Sequence, residues 1–212
     1  MTFDARIQVD KEHYDFKNYV RKDRWINYWR QLHAVMATEP TNVLEVGPGD
    51  GTVTKLLRIY GYDVSTLDID PELSPTYVGS VQKIPAPDAS FDTVLCSEVL
   101  EHLPYDESLV AIAELARVTR SYVVIGLPHA GGVFLLKCKL PLLPHLTLFW
   151  KLPFFWKKHT FNGEHYWELG KKGYSIARIK KDITYAGLTI ESVTVDADDP
   201  SHYLFCCKKN EK

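Results

Sequence analysis

Five side chains stand out for the chemistry they could do: Glu98, Glu101 and His102 in the run SEVLEHL, His129 directly after Pro128, and His165 in GEHYWELG. If SEVLEHL opens a helix, Glu98, Glu101 and His102 fall at i, i+3 and i+4 on one face. Two carboxylates and an imidazole so placed can hold a divalent ion. The same run can also serve only as a helix start and pocket wall. A histidine near its ordinary pKa of about 6.5 is a usable proton acceptor at neutral pH. His102, His129 and His165 fit that role, His129 and His165 above all, and a hydrogen-bonded loop position is the plain alternative for His129.

A second constellation lies upstream. VLEVGPGDG places Gly47, Gly49 and Gly51 after a short apolar run. Without Cβ atoms the chain can turn tightly there and offer its N–H groups to a ligand. Asp50 or Thr52 can cap the helix that follows. The spacing is G-x-G-x-G with Thr52 next, whereas a dinucleotide site prefers G-x-G-x-x-G. Glu45, two residues before the first glycine, suits a ligand with an ammonium group better than one with a pyrophosphate. Together these features favour S-adenosylmethionine over a nicotinamide dinucleotide. The later run TLDID carries Asp68, a carboxylate placed to accept ribose hydroxyls in either cofactor class. Asp70, before Pro71, reads as a turn residue.

The elements that must position these groups alternate. Strands are predicted at 42–46, 63–68, 77–79, 93–96 and 122–127, with helices at 52–60 and 106–119. One or two amphipathic helices are expected over residues 12–37, ended near Glu39-Pro40. After a helix near 172–186 come strand-like runs at 188–195 and 202–208. They are too close in sequence to be parallel neighbours, so an antiparallel hairpin is expected there. The predicted fold is α/β and Rossmann-like: a mainly parallel sheet, helices on both faces, and an antiparallel C-terminal strand. One domain is expected over 1–212, divided into a helical cap (1–40), a cofactor-binding core (41–129), an aromatic insertion (130–170) and a C-terminal helix and hairpin (171–212).

Composition narrows the function classes. Apolar residues make up 45% and charged residues 25%, values ordinary for a globular protein. The net charge of −2 gives no pull toward nucleic acid, which is not expected as a partner. The opening residues have early acids and no apolar core, so no secretory signal is expected. Four cysteines, two of them adjacent, show no metal-ligand spacing, which fits a reducing, cytoplasmic setting.

VLEVGPGDG, TLDIDPEL, GSVQKIPAPDASFDTVLCSEVLEHL and ELARVTRSYVVIGLP follow one another in an order that resembles the class I S-adenosylmethionine-dependent methyltransferases, particularly the type 11 group. The resemblance covers residues 42–128 and, in outline, the closing hairpin. It implies a seven-stranded sheet with the last strand antiparallel. It also implies that Glu45, Gly47, Gly49 and Gly51 hold the methionine end and Asp68 the ribose. Ile69, Ser80, Val81 and Cys96 complete the cofactor contacts it suggests. Ser80 departs from the group, which usually has Asp at the end of the third strand. A neutral hydroxyl there makes a weaker acceptor by about 1 kcal/mol. E-x-x-E-H with a downstream histidine also resembles the metal site of small-RNA 2′-O-methyltransferases, which implies Glu98, Glu101, His102 and His165 as metal ligands.

Residues 131–163 contain five lysines, no acid and a dense set of aromatics. They read as a lid over the pocket, an interfacial surface that meets a membrane, or a dimer contact. No run reaches the ~20 apolar residues of a membrane-spanning helix. The expected activity is methyl transfer to a small or lipid-linked hydroxyl, in the cytoplasm and with peripheral membrane contact as an option. N-methylation and non-catalytic cofactor binding are the alternatives. Methylation of a neutral amine would need less help from a base.

Overall fold

The computed structural model describes residues 6–8, 11–14, 16–139, 141–142 and 145–211. In chain order the regular elements are a 3-10 turn (Lys11–Tyr14), α1 (Phe16–Tyr19), α2 (Lys22–Met36), β1 (Asn42–Val46), α3 (Thr52–Ile59), β2 (Asp63–Asp68), β3 (Tyr77–Val78) and β4 (Phe91–Ser97). They continue with α4 (Tyr105–Val118), β5 (Thr119–Pro128), β6 (Gly131–Cys138), β7 (Leu146–Pro153), α5 (Ile176–Tyr185), β8 (Leu188–Asp196) and β9 (Asp199–Lys209). Two short 3-10 turns lie between them, at Pro71–Leu73 and Leu100–His102.

Seven strands form one sheet in the order β3-β2-β1-β4-β5-β9-β8. Pairings from β3 through β5 are parallel, and β9 runs antiparallel to both of its neighbours. The expected mainly parallel sheet with an antiparallel final strand is what forms.

Alternation along each strand sends side chains to two different cores. Leu44 and Val46 of β1, Val94 and Cys96 of β4, and Val123 and Ile125 of β5 pack in the cluster that includes Ile112 and Leu115 of α4 and Ile183 of α5. Val43, Leu95 and Val124 face the other side, where Tyr28 and Val35 of α2 and Val53 and Leu57 of α3 cover them. Each such fully buried aliphatic side chain contributes about 2 kcal/mol relative to exposure. Glu45 shares the α3 side of β1 with Val43, and this decides its hydrogen-bond partner below.

Two expectations need correction. SEVLEHL does not open an α-helix. Glu98 adopts a left-handed φ of 56°, a 3-10 turn spans Leu100–His102, and α4 starts only at Tyr105. Pro104 forces the preceding Leu103 into an extended conformation, so the helix cannot begin earlier. The helix expected from 172 begins at Ile176, because Gly173 is left-handed (φ 90°) and the Ser175 side chain caps the Arg178 N–H. The aromatic insertion, for which no elements were predicted, largely forms a separate two-stranded antiparallel ribbon of β6 and β7. No helix among the described residues is long and apolar enough to cross a membrane.

Candidate functional site

The carboxyl ends of β1, β2 and β4 open onto one cleft, where ligands sit in open parallel sheets. Its floor is the turn after β1. Gly47 (φ 68°) and Gly49 (φ 55°) both occupy the left-handed region that favours glycine. Space demands glycine there as well. A Cβ on Gly47 would lie 2.4 Å from Val99 Cγ2, and one on Gly49 would lie 3.1 Å from Tyr14 Cε1. Tyr14 thus comes down onto the glycine turn from the N-terminal segment. Gly51, not Asp50 or Thr52, takes the cap position of α3, and Asp50 just before it accepts the Thr52 N–H through Oδ1 at 2.9 Å and the Tyr28 hydroxyl through Oδ2 at 3.0 Å.

Glu45 is buried behind this turn and lines the cleft. Its carboxylate accepts a hydrogen bond from the Thr54 hydroxyl of α3. Burial pushes its pKa up to about 7 against the pull of Thr54. Asp68, at the end of β2, lines the neighbouring part of the cleft with Ile69, Ser80 and Val81. Its Oδ1 accepts the Asp70 N–H at 2.9 Å, and burial raises its pKa. Asp70 is a turn residue as expected, accepting the Glu72 N–H, and it lines the cleft too. The Ser80 hydroxyl is taken up in its own turn, with Gln82 as its partner. Cys96 does not reach the cleft lining. It points to the α4 side of β4 and is fully buried in the core, and Ser97 lines the cleft instead.

The turn after β4 brings acids and imidazoles together. Glu101 is 0% exposed, and neither carboxylate oxygen has a hydrogen-bond partner among the described residues. Burial, then the nearby Glu98, hold its pKa well above the usual carboxylate range. His102 Nδ1 lies 2.5 Å from Gln8 Oε1, and its ring meets that of His165 edge-on at 5.0 Å. Burial, then His165, push the His102 pKa down to about 4. His165 Nδ1 is 3.5 Å from Glu168 Oε1. Candidate ligand atoms of Glu101, His102 and His165 all lie within 4.8 Å of one another. An unpartnered buried carboxyl beside two imidazoles fits a divalent transition ion after a small inward shift. Glu98 stands outside that group and faces the other way, 3.5 Å from His202 Nε2.

His129 lies elsewhere. Its ring stacks on Tyr203 at 4.5 Å, its N–H donates to Ser201 O, and its carbonyl accepts from Lys151 Nζ. Burial and the Lys151 charge push its pKa down to about 4.

His202 is the residue that sequence reasoning missed. It lines the cleft, with Nδ1 2.5 Å from Asp199 Oδ1 and Nε2 turned to Glu98. Asp199 is fully buried, and its other oxygen pairs with Arg30 Nη1 of α2 at 3.0 Å. Burial alone would lower the His202 pKa, but Glu98 and Asp199 outweigh it and raise the value. The available signal was register. An antiparallel final strand beside β5 sets His202 opposite Pro128, at the cleft rim.

Comparison with known proteins agrees with this geometry. Residues 44–125 match a family model described as a methyltransferase domain. An uncharacterized methyltransferase of Staphylococcus carnosus is 28% identical over 119 residues, which span 52% of this chain and 54% of that protein. The chain thus spans about half the length of that curated relative. The fold is similar to the 1,6-didemethyltoxoflavin N1-methyltransferase of Burkholderia thailandensis (TM-score 0.59, 15% identity, 90% and 82% of the two chains covered). It is likewise similar to the N-methyltransferase NodS of Bradyrhizobium japonicum (0.60, 13%, 90% and 89%). A third similar fold is the magnesium protoporphyrin IX methyltransferase of Synechocystis (0.60, 16%, 92% and 88%). All three were solved with S-adenosylhomocysteine. With its glycine turn and sheet order, the chain is similar in fold to these methyltransferases, and its residues 44–125 match a methyltransferase domain.

Proposed function

We propose that this protein transfers a methyl group from S-adenosylmethionine to a small or lipid-linked acceptor, with a hydroxyl oxygen as the accepting atom. The observation that carries this reading is that His202, held by the buried Asp199, lines one cleft with Glu45, Gly47 and Gly49. Bound S-adenosylmethionine supplies an activated methyl group on a sulfonium. On the protein side, Asp68 is placed for the ribose hydroxyls and the left-handed glycines keep the floor free of side chains. Glu45, once ionised, offers a charge to the ammonium end.

A hydroxyl acceptor must lose a proton as the new bond forms. His202 Nε2 is the atom we assign to take it. Asp199 holds the imidazole by Nδ1 and stabilises the imidazolium, while Glu98 supplies a second negative charge. Arg30 fixes Asp199 in turn. For an amine acceptor this proton acceptor matters less, so the pair supports oxygen over nitrogen. His165, on the opposite side of Glu98's turn, serves the second reading better.

That second reading is favoured by Glu101. An unpartnered buried carboxyl next to His102 and His165 suits a divalent ion that would lower the pKa of a coordinated acceptor hydroxyl.

Calorimetric titration with S-adenosylhomocysteine, with NAD as the control, tests the cofactor half. Binding of the first alone is expected. Binding of NAD alone would overturn the reading.

A further inference from the structure

The ribbon of β6 and β7 presents one apolar, exposed face. Facing residues in an antiparallel ladder share a side. Pairings Gly132↔Leu152, Phe134↔Trp150, Leu136↔Leu148 and Cys138↔Leu146 therefore put an unbroken apolar row on a single face. Phe134 is 60% and Trp150 69% exposed, and the leucines of that row are also exposed. The opposite face is tied to the body of the protein. Lys137 pairs with Asp198 there, and Lys151 donates to the carbonyls of His129 and Pro200. The apolar face thus points outward because its reverse is anchored.

We propose that this face docks on an anionic membrane surface. Charge selects that occupant. The whole segment 131–163 has five lysines and no acid. Lys139 follows one end of the ribbon, and Lys157 and Lys158, all three exposed, follow the exposed Phe155 and Trp156 beyond the other. Aromatic rings bordered by lysines match the boundary between acyl chains and anionic headgroups. A second copy of the chain meets an obstacle. Two-fold pairing of this face would bring both sets of lysines together with no carboxylate in the segment to offset them. The strand edges limit the depth. Outer edges of a two-stranded ribbon carry unpaired N–H and C=O groups, which hydrocarbon does not tolerate. The ribbon therefore lies flat, its apolar row dipping about 5–10 Å while its edges stay hydrated. β6 begins just after Pro128, which lines the cleft, so docking sets the cleft rim close to the lipid.

The proposal is independent of the methyl-transfer reading, because its test uses neither cofactor nor acceptor. The full chain is floated with vesicles of phosphatidylcholine alone and with vesicles containing equal parts of phosphatidylglycerol. Flotation is expected with the anionic vesicles and about tenfold less with the neutral ones or in high salt. Phe134→Ser with Trp150→Ser should lower anionic flotation about tenfold with an unchanged far-ultraviolet circular dichroism spectrum. If that pair fails to fold, Lys157→Gln and Lys158→Gln should each lower it about fivefold. Wild-type protein that stays at the bottom of the gradient would overturn the proposal. So would a stable dimer in sedimentation equilibrium that the double serine variant converts to monomer, since the face would then belong to a second copy.

Discussion

His202 is held by Asp199 at 2.5 Å from Nδ1, and the same carboxylate is locked by Arg30 at 3.0 Å. One buried acid therefore joins the first long helix to the final strand and orients an imidazole over the cleft. Structure and proposed chemistry share a residue here, so their contributions must be separated by experiment.

His202→Gln should lower kcat by about a hundredfold or more for a hydroxyl acceptor. Affinity for S-adenosylhomocysteine should stay within about twofold, since Asp68, Glu45 and the glycine turn are untouched. A kcat within threefold of wild type would remove His202 as the proton acceptor, or identify an amine as the acceptor. Arg30→Ala should act differently and cost about 3–5 kcal/mol of stability by leaving Asp199 buried and unpaired.

Glu45 makes stability depend on pH. In the folded, ligand-free protein its pKa is about 7, against 4.5 for the ordinary group. Below pH 4.5 both states hold the proton, and the stability linked to this group is fully present. As pH rises toward 7 the unfolded chain loses the proton first, so that stability is lost, to a total of about 3 kcal/mol. Glu45→Gln should therefore melt higher than wild type at pH 8 and show no such advantage at pH 4. The same variant should bind S-adenosylhomocysteine more weakly. A melting-temperature difference that does not change with pH would contradict the assignment.

Gly47 tests the floor of the cleft. Gly47→Ala combines a left-handed backbone with a Cβ placed 2.4 Å from Val99 Cγ2, and should cost about 2 kcal/mol or more. Adding Val99→Ala should restore part of that loss and leave the backbone strain. Full stability in the single variant, measured by urea unfolding, would show that the turn can rearrange.

The cation reading makes its own forecast. Manganese at a hundredfold excess over its Kd should stabilise wild type by about 2.7 kcal/mol. Glu101→Gln should respond far less, because the carboxylate ligand is gone. An equal response in both proteins would place any ion elsewhere.

How much of this was legible in the sequence follows from burial. Strands β1, β2, β4 and β5 are covered on both faces, so they read as short apolar runs between turns, and their predicted positions agree to within a few residues. The glycine turn and the position of Asp68 at the end of β2 were legible because each depends on local residues. SEVLEHL misled because E-x-x-E-H has helical spacing, whereas Pro104 delays the helix. The ribbon was hidden because its anchored face is not polar enough to mark an alternation: Val133 and Leu135 sit beside Lys137. His202 was hidden by distance along the chain. Only the β5–β9 register brings it beside Pro128.

The most direct measurement of the central claim uses S-adenosylmethionine labelled in its methyl group. Wild-type protein and Asp68→Ala are incubated with it in parallel, each with a fractionated extract of the native cell. Methyl transfer predicts label in an acceptor fraction with wild type, and at least about tenfold less with Asp68→Ala at limiting cofactor. Absence of label from every fraction with wild type, while S-adenosylhomocysteine binds, would contradict an enzyme and leave a cofactor-binding protein.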